Sequence, residues 1–305
     1  MKKSKPKKEC EFCGKLRPLS SHLYELAEYC KYLDNAVMFT DQDSNTKIRS
    51  AVIGDWLKLS SQLEKVEINT WKFADYSATY CGTIADRHDS DSEHFSDYST
   101  ALTKFIFVCN ALEETYRFVA SNYDELAEIN NIPPKKRFQK PSMKATYLVD
   151  RMKAAELPTH HDHFISNFVG CFKPYNSKYS PEMSGMQIVK KTDMSYGLHL
   201  VRNLRNHVAH GVFPLVDNPE YYVGEDGLID YLIQLLTRAC RVSAIYIQTL
   251  MSKYNTGFHS AEYQYAEDGA EEEAEFFLRN CTSDYGLRLH LLGEFSFENP
   301  FNYKY

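Results

Sequence analysis

Residues Gly227–Tyr254 constrain the fold more than any other part of the chain. Leu228, Tyr231, Leu232, Leu235, Leu236, Ala239, Val242, Ile245, Tyr246 and Leu250 recur there at intervals of three and four, the period that lays an apolar stripe along an α-helix. Leu102, Phe105, Ile106, Cys109, Leu112, Tyr116 and Val119 repeat in the same way and predict a helix over Thr100–Asn122. Weaker helical patterns cover Leu19–Phe39, Thr46–Tyr76, Lys144–Leu157, His163–Phe172 and about 194–210. Ser20 or Ser21 is placed to cap the first of these, Asp43 or Ser44 the second and Asp193 the last. Several helices joined by loops predict an all-α, up-and-down helical bundle. Leu287–Phe297 alternates enough to suggest a strand or hairpin, hence a short C-terminal α/β tail.

The polar, acidic stretch 86–97 reads as a boundary. Residues 131–142, with three prolines, and 173–187, rich in Pro, Ser, Asn and Gly, read as loops. The expected organisation is an N-terminal helical extension over 1–95, a helical core over 96–254 and a tail over 255–305. A chain of 305 residues has ample length for a real core. The net charge of −6 argues against a surface coated in positive charge for general nucleic-acid binding. Most of the 22 tyrosines and 18 phenylalanines read as packing, with tyrosine hydroxyls at the surface. No stretch approaches a membrane span and no apolar run follows the basic start, so a cytoplasmic protein with no membrane partner is expected. Most of the eight cysteines are then free thiols.

Chemistry concentrates in Leu204-Arg205-Asn206-His207-Val208-Ala209-His210-Gly211. Arg205 is a planar fork of donors suited to phosphate. An imidazole such as that of His210 gives or takes a proton near neutrality. Asn206 lies four residues before His210, so on a helix the amide shares its face and can orient the ring. A second, overlapping register runs from Arg202 to His207. The later register is preferred because Ala209-His210-Gly211 closes it. Arg202, Asn206 and His210 fall along one stripe, whereas Val201, Leu204, Val208 and Val212 form the apolar one. Arg205 borders the apolar stripe, about 140° from His210. The competing reading is a solvated helix face with a polar end.

This R-N-x-x-x-H pattern, with Leu before it and Gly after, resembles the signature of HEPN domains (higher eukaryotes and prokaryotes nucleotide-binding). The resemblance covers the motif and, more loosely, the helical core over 96–254. It implies a helical homodimer with Arg205, Asn206 and His210 as the catalytic set. It also implies a metal-independent endoribonuclease, a hydrolase of RNA, acting as a gated toxin or an antiviral, abortive-infection effector. An antitoxin or a phage-derived trigger would control it. Some members keep the fold without the chemistry, so a non-catalytic nucleotide- or RNA-binding or sensor module is the alternative. Arg202 and His207 are secondary RNA-contact candidates. So are Lys135, Lys136 and Arg137, where cations interleave with Phe138; a solvated loop explains them equally well.

Catalysis requires no cofactor on this reading. A structural zinc is a separate candidate. Cys10-Glu-Phe-Cys13-Gly-Lys has the spacing of one zinc knuckle, in which a tight turn aims two thiolates at one metal. His22 and Cys30 are the nearest further ligands, and a basic tail with two free thiols is the alternative. The cluster His160-His161-Asp162-His163 contains ligand types but reads more simply as a polar turn.

Overall fold

The computed structural model describes residues 12–38, 50–179, 193–218, 220–221, 228–254 and 283–293. Within them the chain is all-α. The helices are α1 (Leu19–Met38), α2 (Ser50–Gln62), α3 (Gly82–Phe118), α4 (Ala120–Ile129), α5 (Pro141–Val149), α6 (His161–Tyr179), α7 (Tyr196–Ala209) and α8 (Leu228–Tyr254). One helical turn follows at Ser283–Gly286.

α8 is the central rod, as its apolar pattern requires. Every residue from Val242 to Ser252 is buried, so this half of the helix is covered on all sides. α3, α6, α1 and α7 pack around it. The core is continuous, running from Leu23 of α1 through Phe105, Phe168 and Leu204 to Leu289. No described helix is long and apolar enough to cross a membrane. Cys81, Cys109, Cys171 and Cys240 form no disulfide among the described residues.

Several sequence expectations need correction. The acidic stretch 86–97 is no boundary but part of α3, a helix of 37 residues, or roughly 55 Å at 1.5 Å per residue. The expected break at 95/96 therefore falls inside one helix. α1 and α2 belong to the same core as the rest. The polar half of α3 is stabilised by local partners: Ser92, Ser96 and Thr100 carry hydroxyls that serve the backbone of 66–70. α6 continues through Pro174 to Tyr179, where the composition read as loop. A proline removes one helix hydrogen bond, but Phe168, Phe172 and Tyr175 all point into the core and outweigh that loss. In the C-terminal segment no strand forms among the described residues. Leu291 makes a single antiparallel bridge to Leu16.

This last contact belongs to a buried polar clasp. Arg17 pairs with Glu25 at 3.1 Å, both side chains almost fully buried, and its Nε donates to the Leu291 carbonyl at 2.8 Å. Arg241 donates to Nδ1 of His22 at 2.9 Å, which leaves His22 Nε2–H to donate to Gln248 Oε1 at 2.9 Å. The Gln248 amide donates to His290 Nδ1 at 3.1 Å, and His290 Nε2–H donates to the Thr159 carbonyl at 2.9 Å. Each donor meets an acceptor, so the tautomers of both histidines are fixed and both rings are neutral. Burial lowers the pKa of each, that of His290 to about 4.

α7 is seated on α8 by a close backbone approach. The Gly197 N–H donates to the Tyr246 hydroxyl at 3.1 Å, and that hydroxyl donates to the Met194 carbonyl at 2.6 Å. A β-carbon at Gly197 would lie 2.8 Å from the Tyr246 ring and hydroxyl. Gly197→Ala is expected to destabilise the fold by about 1–3 kcal/mol through overpacking. An unchanged urea midpoint for this variant would show that the contact relaxes freely.

Candidate active site at the end of α7

Three of the motif side chains reach the surface because the sequence alternates them with α7's buried stripe. Leu198, Val201 and Leu204 are fully buried, and His207 continues their line one turn on. The helix is started by Asp150 rather than Asp193: the Asp150 carboxylate accepts the Ser195 N–H at 2.9 Å. Asp193 contributes only its backbone carbonyl, to Tyr196 N–H at 3.0 Å.

The end of α7 is a Schellman turn. Val212 N–H bonds the His207 carbonyl at 2.9 Å and Gly211 N–H bonds that of Val208 at 3.2 Å. Gly211 has φ of 67°, the left-handed value for which its lack of a β-carbon is suited. His210 occupies the C-cap, with non-helical backbone and an exposed ring. Val212, expected on the apolar stripe, is half exposed instead because the helix has already ended.

The two registers of the motif are placed differently. His207 is 7% exposed, and its Nδ1 shares a hydrogen bond with the Tyr175 hydroxyl at 2.8 Å. Burial lowers the His207 pKa and raises that of Tyr175, so a neutral ring meets a protonated phenol. His207 is therefore a core residue, unable to touch RNA as the sequence had suggested; its spacing from Leu204 explains why. Arg205 is half-exposed beside α3, with Nη2 3.8 Å from the Glu113 carboxylate and Nη1 3.5 Å from Asn206 Oδ1. Both separations are long for hydrogen bonds. The Asn206 amide thus faces Arg205, and no side-chain bond joins it to His210. Arg205 and His210 do not meet on one helix.

Arg202 points the other way, toward the start of α5. Its guanidinium lies 3.6 Å from Met143 Sδ and 3.4 Å from His199 Nδ1. His199 is held neutral, with its pKa lowered to about 4 by burial and by the Arg202 charge. In the basic loop Lys135 and Lys136 are exposed. Arg137 is committed to the fold, donating to the Ile132 carbonyl at 3.0 Å and pairing with Glu128 at 3.3 Å. Phe138 packs edge-on against Tyr147 and tilted on Tyr123, yet stays exposed.

No family model, curated protein or solved structure matches this chain.

Sequence reasoning missed Glu113, Tyr175 and Asp150, each of which acts on the motif from another helix. Nothing in their local sequence marks them. A cleft of about 470 Å³ is formed by residues 65–71 against Asp89, Ser92, Glu93 and Ser96 of α3. It is roughly 25–35 Å along α3 from Glu113 at 1.5 Å per residue, too far to share a ligand with Arg205. Of the zinc candidates, Cys10 and the Cys13 side chain lie outside the described residues. His22 has both ring nitrogens engaged in the clasp and Cys30 is buried in the core, so neither completes a metal site. No group of three metal-ligating side chains forms among the described residues.

Proposed function

We propose that the chain is a metal-independent endoribonuclease of HEPN type, active as a homodimer. The observation that carries this reading is the sorting of the motif: Arg205, Asn206 and His210 stand at the surface end of α7 while His207 is buried in the core. Only the register ending at His210 leaves an imidazole accessible to substrate.

A ribose 2′-oxygen attacks the adjacent phosphorus, the bond from phosphorus to the 5′-oxygen breaks, and a cyclic phosphate and a 5′-hydroxyl result. One His210 takes the 2′-hydroxyl proton and a second returns a proton to the leaving oxygen. Arg205 offsets charge building on the phosphoryl oxygens, with the Asn206 amide facing it. The nucleophile belongs to the substrate, so positioning does much of the work. Phosphate displaces Glu113 from Arg205, a long pair that is easily exchanged.

Two copies supply what one helix separates. Val212 and Leu215, just beyond His210, are 50% and 74% exposed, an apolar margin suited to a symmetric contact. A groove between two motifs then carries two arginines and two histidines, a local positive field on an acidic chain. A trigger or antitoxin gates the activity, as an abortive-infection effector requires.

The test is cleavage of a panel of RNAs in excess chelator, with product ends examined for 2′,3′-cyclic phosphate. Mixing Arg205→Ala with His210→Ala subunits is expected to restore part of the activity that each alone lacks. No cutting across many RNAs favours the non-catalytic binding module. A monomer that cuts at full rate removes the shared site.

A further inference from the structure

Large apolar side chains stand in water on the connection between α2 and α3. Phe73, Tyr76 and Tyr80 are 89%, 75% and 76% exposed, and Ile68 and Ile84 are exposed on either side of them in sequence. The three rings belong to two 3₁₀ turns, Thr70–Phe73 and Tyr76–Tyr80. Each turn is closed by a local cap: Asn69 accepts the Trp71 N–H at 2.9 Å and Asp75 accepts the Ser77 N–H at 2.8 Å. The Tyr80 hydroxyl donates to that of Tyr76 at 3.1 Å, which pairs their rings. Apolar side chains grouped in this way, rather than scattered singly, mark an interaction surface.

The chain entering these turns is laid along α3. The N–H groups of Val66, Ile68 and Thr70 donate to the hydroxyls of Thr100, Ser96 and Ser92 at 2.8, 2.8 and 3.2 Å. From Thr100 to Ser92 is about 12 Å along a helix, and four residues of extended chain cover about 13 Å. Residues 66–70 are therefore extended and run antiparallel to α3. The N–H groups of Glu67 and Asn69, on the outer edge, have no hydrogen-bond partner among the described residues. Lys65, Glu67, Asn69 and Trp71 alternate along one wall of the cleft against α3.

Charge decides what fits there. Residues 64–97 contain eight Asp or Glu against three Lys or Arg, nearly the whole net charge of −6. In the cleft Glu67, Asp89 and Glu93 face one lysine, Lys65, and none of the three acids forms an ion pair among the described residues. Asp89 accepts the Trp71 Nε1–H at 2.7 Å, which fixes the indole beside the carboxylates. An aromatic wall next to unpaired carboxylates receives a Lys or Arg side chain through both charge and its π face. The same field repels a phosphate backbone, and two copies meeting face to face on this surface would oppose like charges.

We propose that residues 64–97 dock an extended, basic segment of a partner protein. Its carbonyls meet the open N–H groups of Glu67 and Asn69, as in strand addition. A Lys or Arg side chain enters the cleft between Trp71 and the three carboxylates. Apolar residues of the same segment cover Phe73, Tyr76 and Tyr80, the kind of aromatic anchors that dominate interfaces. The surface lies far along α3 from Arg205, so the proposal is independent of the nuclease reading.

The probe is a random nine-residue peptide library displayed on phage and selected on the full chain. Enriched sequences are expected to set Lys or Arg among apolar residues, and the synthetic peptides to bind one per chain. Glu67→Lys/Glu93→Lys and Phe73→Ala/Tyr76→Ala should each weaken that binding by at least about tenfold. Asp230→Lys, an equal kind of charge change at the start of α8, should leave it unchanged. All five side chains are exposed, so the variants keep the fold, which circular dichroism checks. The proposal is overturned by a selection that enriches nothing or enriches acidic peptides, or by binding that survives both double variants. A nine-nucleotide RNA that binds wild type and is lost in Phe73→Ala/Tyr76→Ala would overturn it in favour of nucleic acid.

Discussion

His210→Ala is expected to lower RNA cleavage by roughly 10²–10⁴-fold, the ordinary worth of a general acid or base, while leaving thermal unfolding unchanged. The ring is exposed at the C-cap and the turn around it is held by backbone bonds to His207 and Val208, so its removal alters stability by no more than about 0.5 kcal/mol. His207→Ala should do the reverse. It leaves the buried Tyr175 hydroxyl without its partner, about 1–3 kcal/mol for the orphaned group alone, and it opens a cavity in the core. Activity should follow the folded fraction and no more. Arg205→Ala is expected to cost about 10²–10³-fold, as loss of a preorganised charge does. The measurement is a paired one, single-turnover cleavage and urea unfolding on the same samples. If His207→Ala is stable yet inert and His210→Ala is active, the register beginning at Arg202 is the working one.

What the sequence made legible follows from which interactions are local. α8 is readable to within a residue because its period is a property of its own side chains, and Gly211 marks the end of α7 because a left-handed residue needs no partner to be recognised. The acidic start of α3 misled because its hydroxyls bond to residues 66–70, a segment that sequence does not place beside it. Pro174 misled because the burial that outweighs it comes from other helices. In the motif, Arg205, Asn206 and His210 were named from spacing, and the burial of His207 was implicit in its distance from Leu204. Tyr175 and Glu113, which decide what His207 and Arg205 meet, are non-local and left no trace.

Mild acid is expected to unfold the chain through the clasp between α1, α8 and the 283–293 segment. His22 and His290 are neutral in the fold, with Arg241 and the Gln248 amide donating to their Nδ1 atoms. A proton on His22 sets Nδ1–H against the Arg241 guanidinium, and one on His290 sets it against the Gln248 amide. Arg17 adds a further positive charge, while Glu25 is already paired with it. The folded pKa of His290 is about 4, against about 6.5 in an unfolded chain. Above pH 6.5 neither state binds the proton, so stability is fully present and flat. Between about 6.5 and 4 only the unfolded state binds it, and stability falls by about 1.4 kcal/mol per pH unit for each such histidine. His290 alone accounts for on the order of 3 kcal/mol across that window. His22, lowered well below its ordinary value by burial and Arg241, adds a parallel slope. Most carboxylates titrate below about 4.5, so the interval from pH 6.5 to 5 reports mainly the buried histidines, with His199 and His207 adding to the clasp pair. Urea midpoints followed by far-UV circular dichroism should be constant from pH 8 to 7 and drop steadily below 6.5, and His290→Gln should remove one histidine's share of that slope. A midpoint that stays level down to pH 5 would mean that the clasp opens to water and carries its histidines at their ordinary pKa.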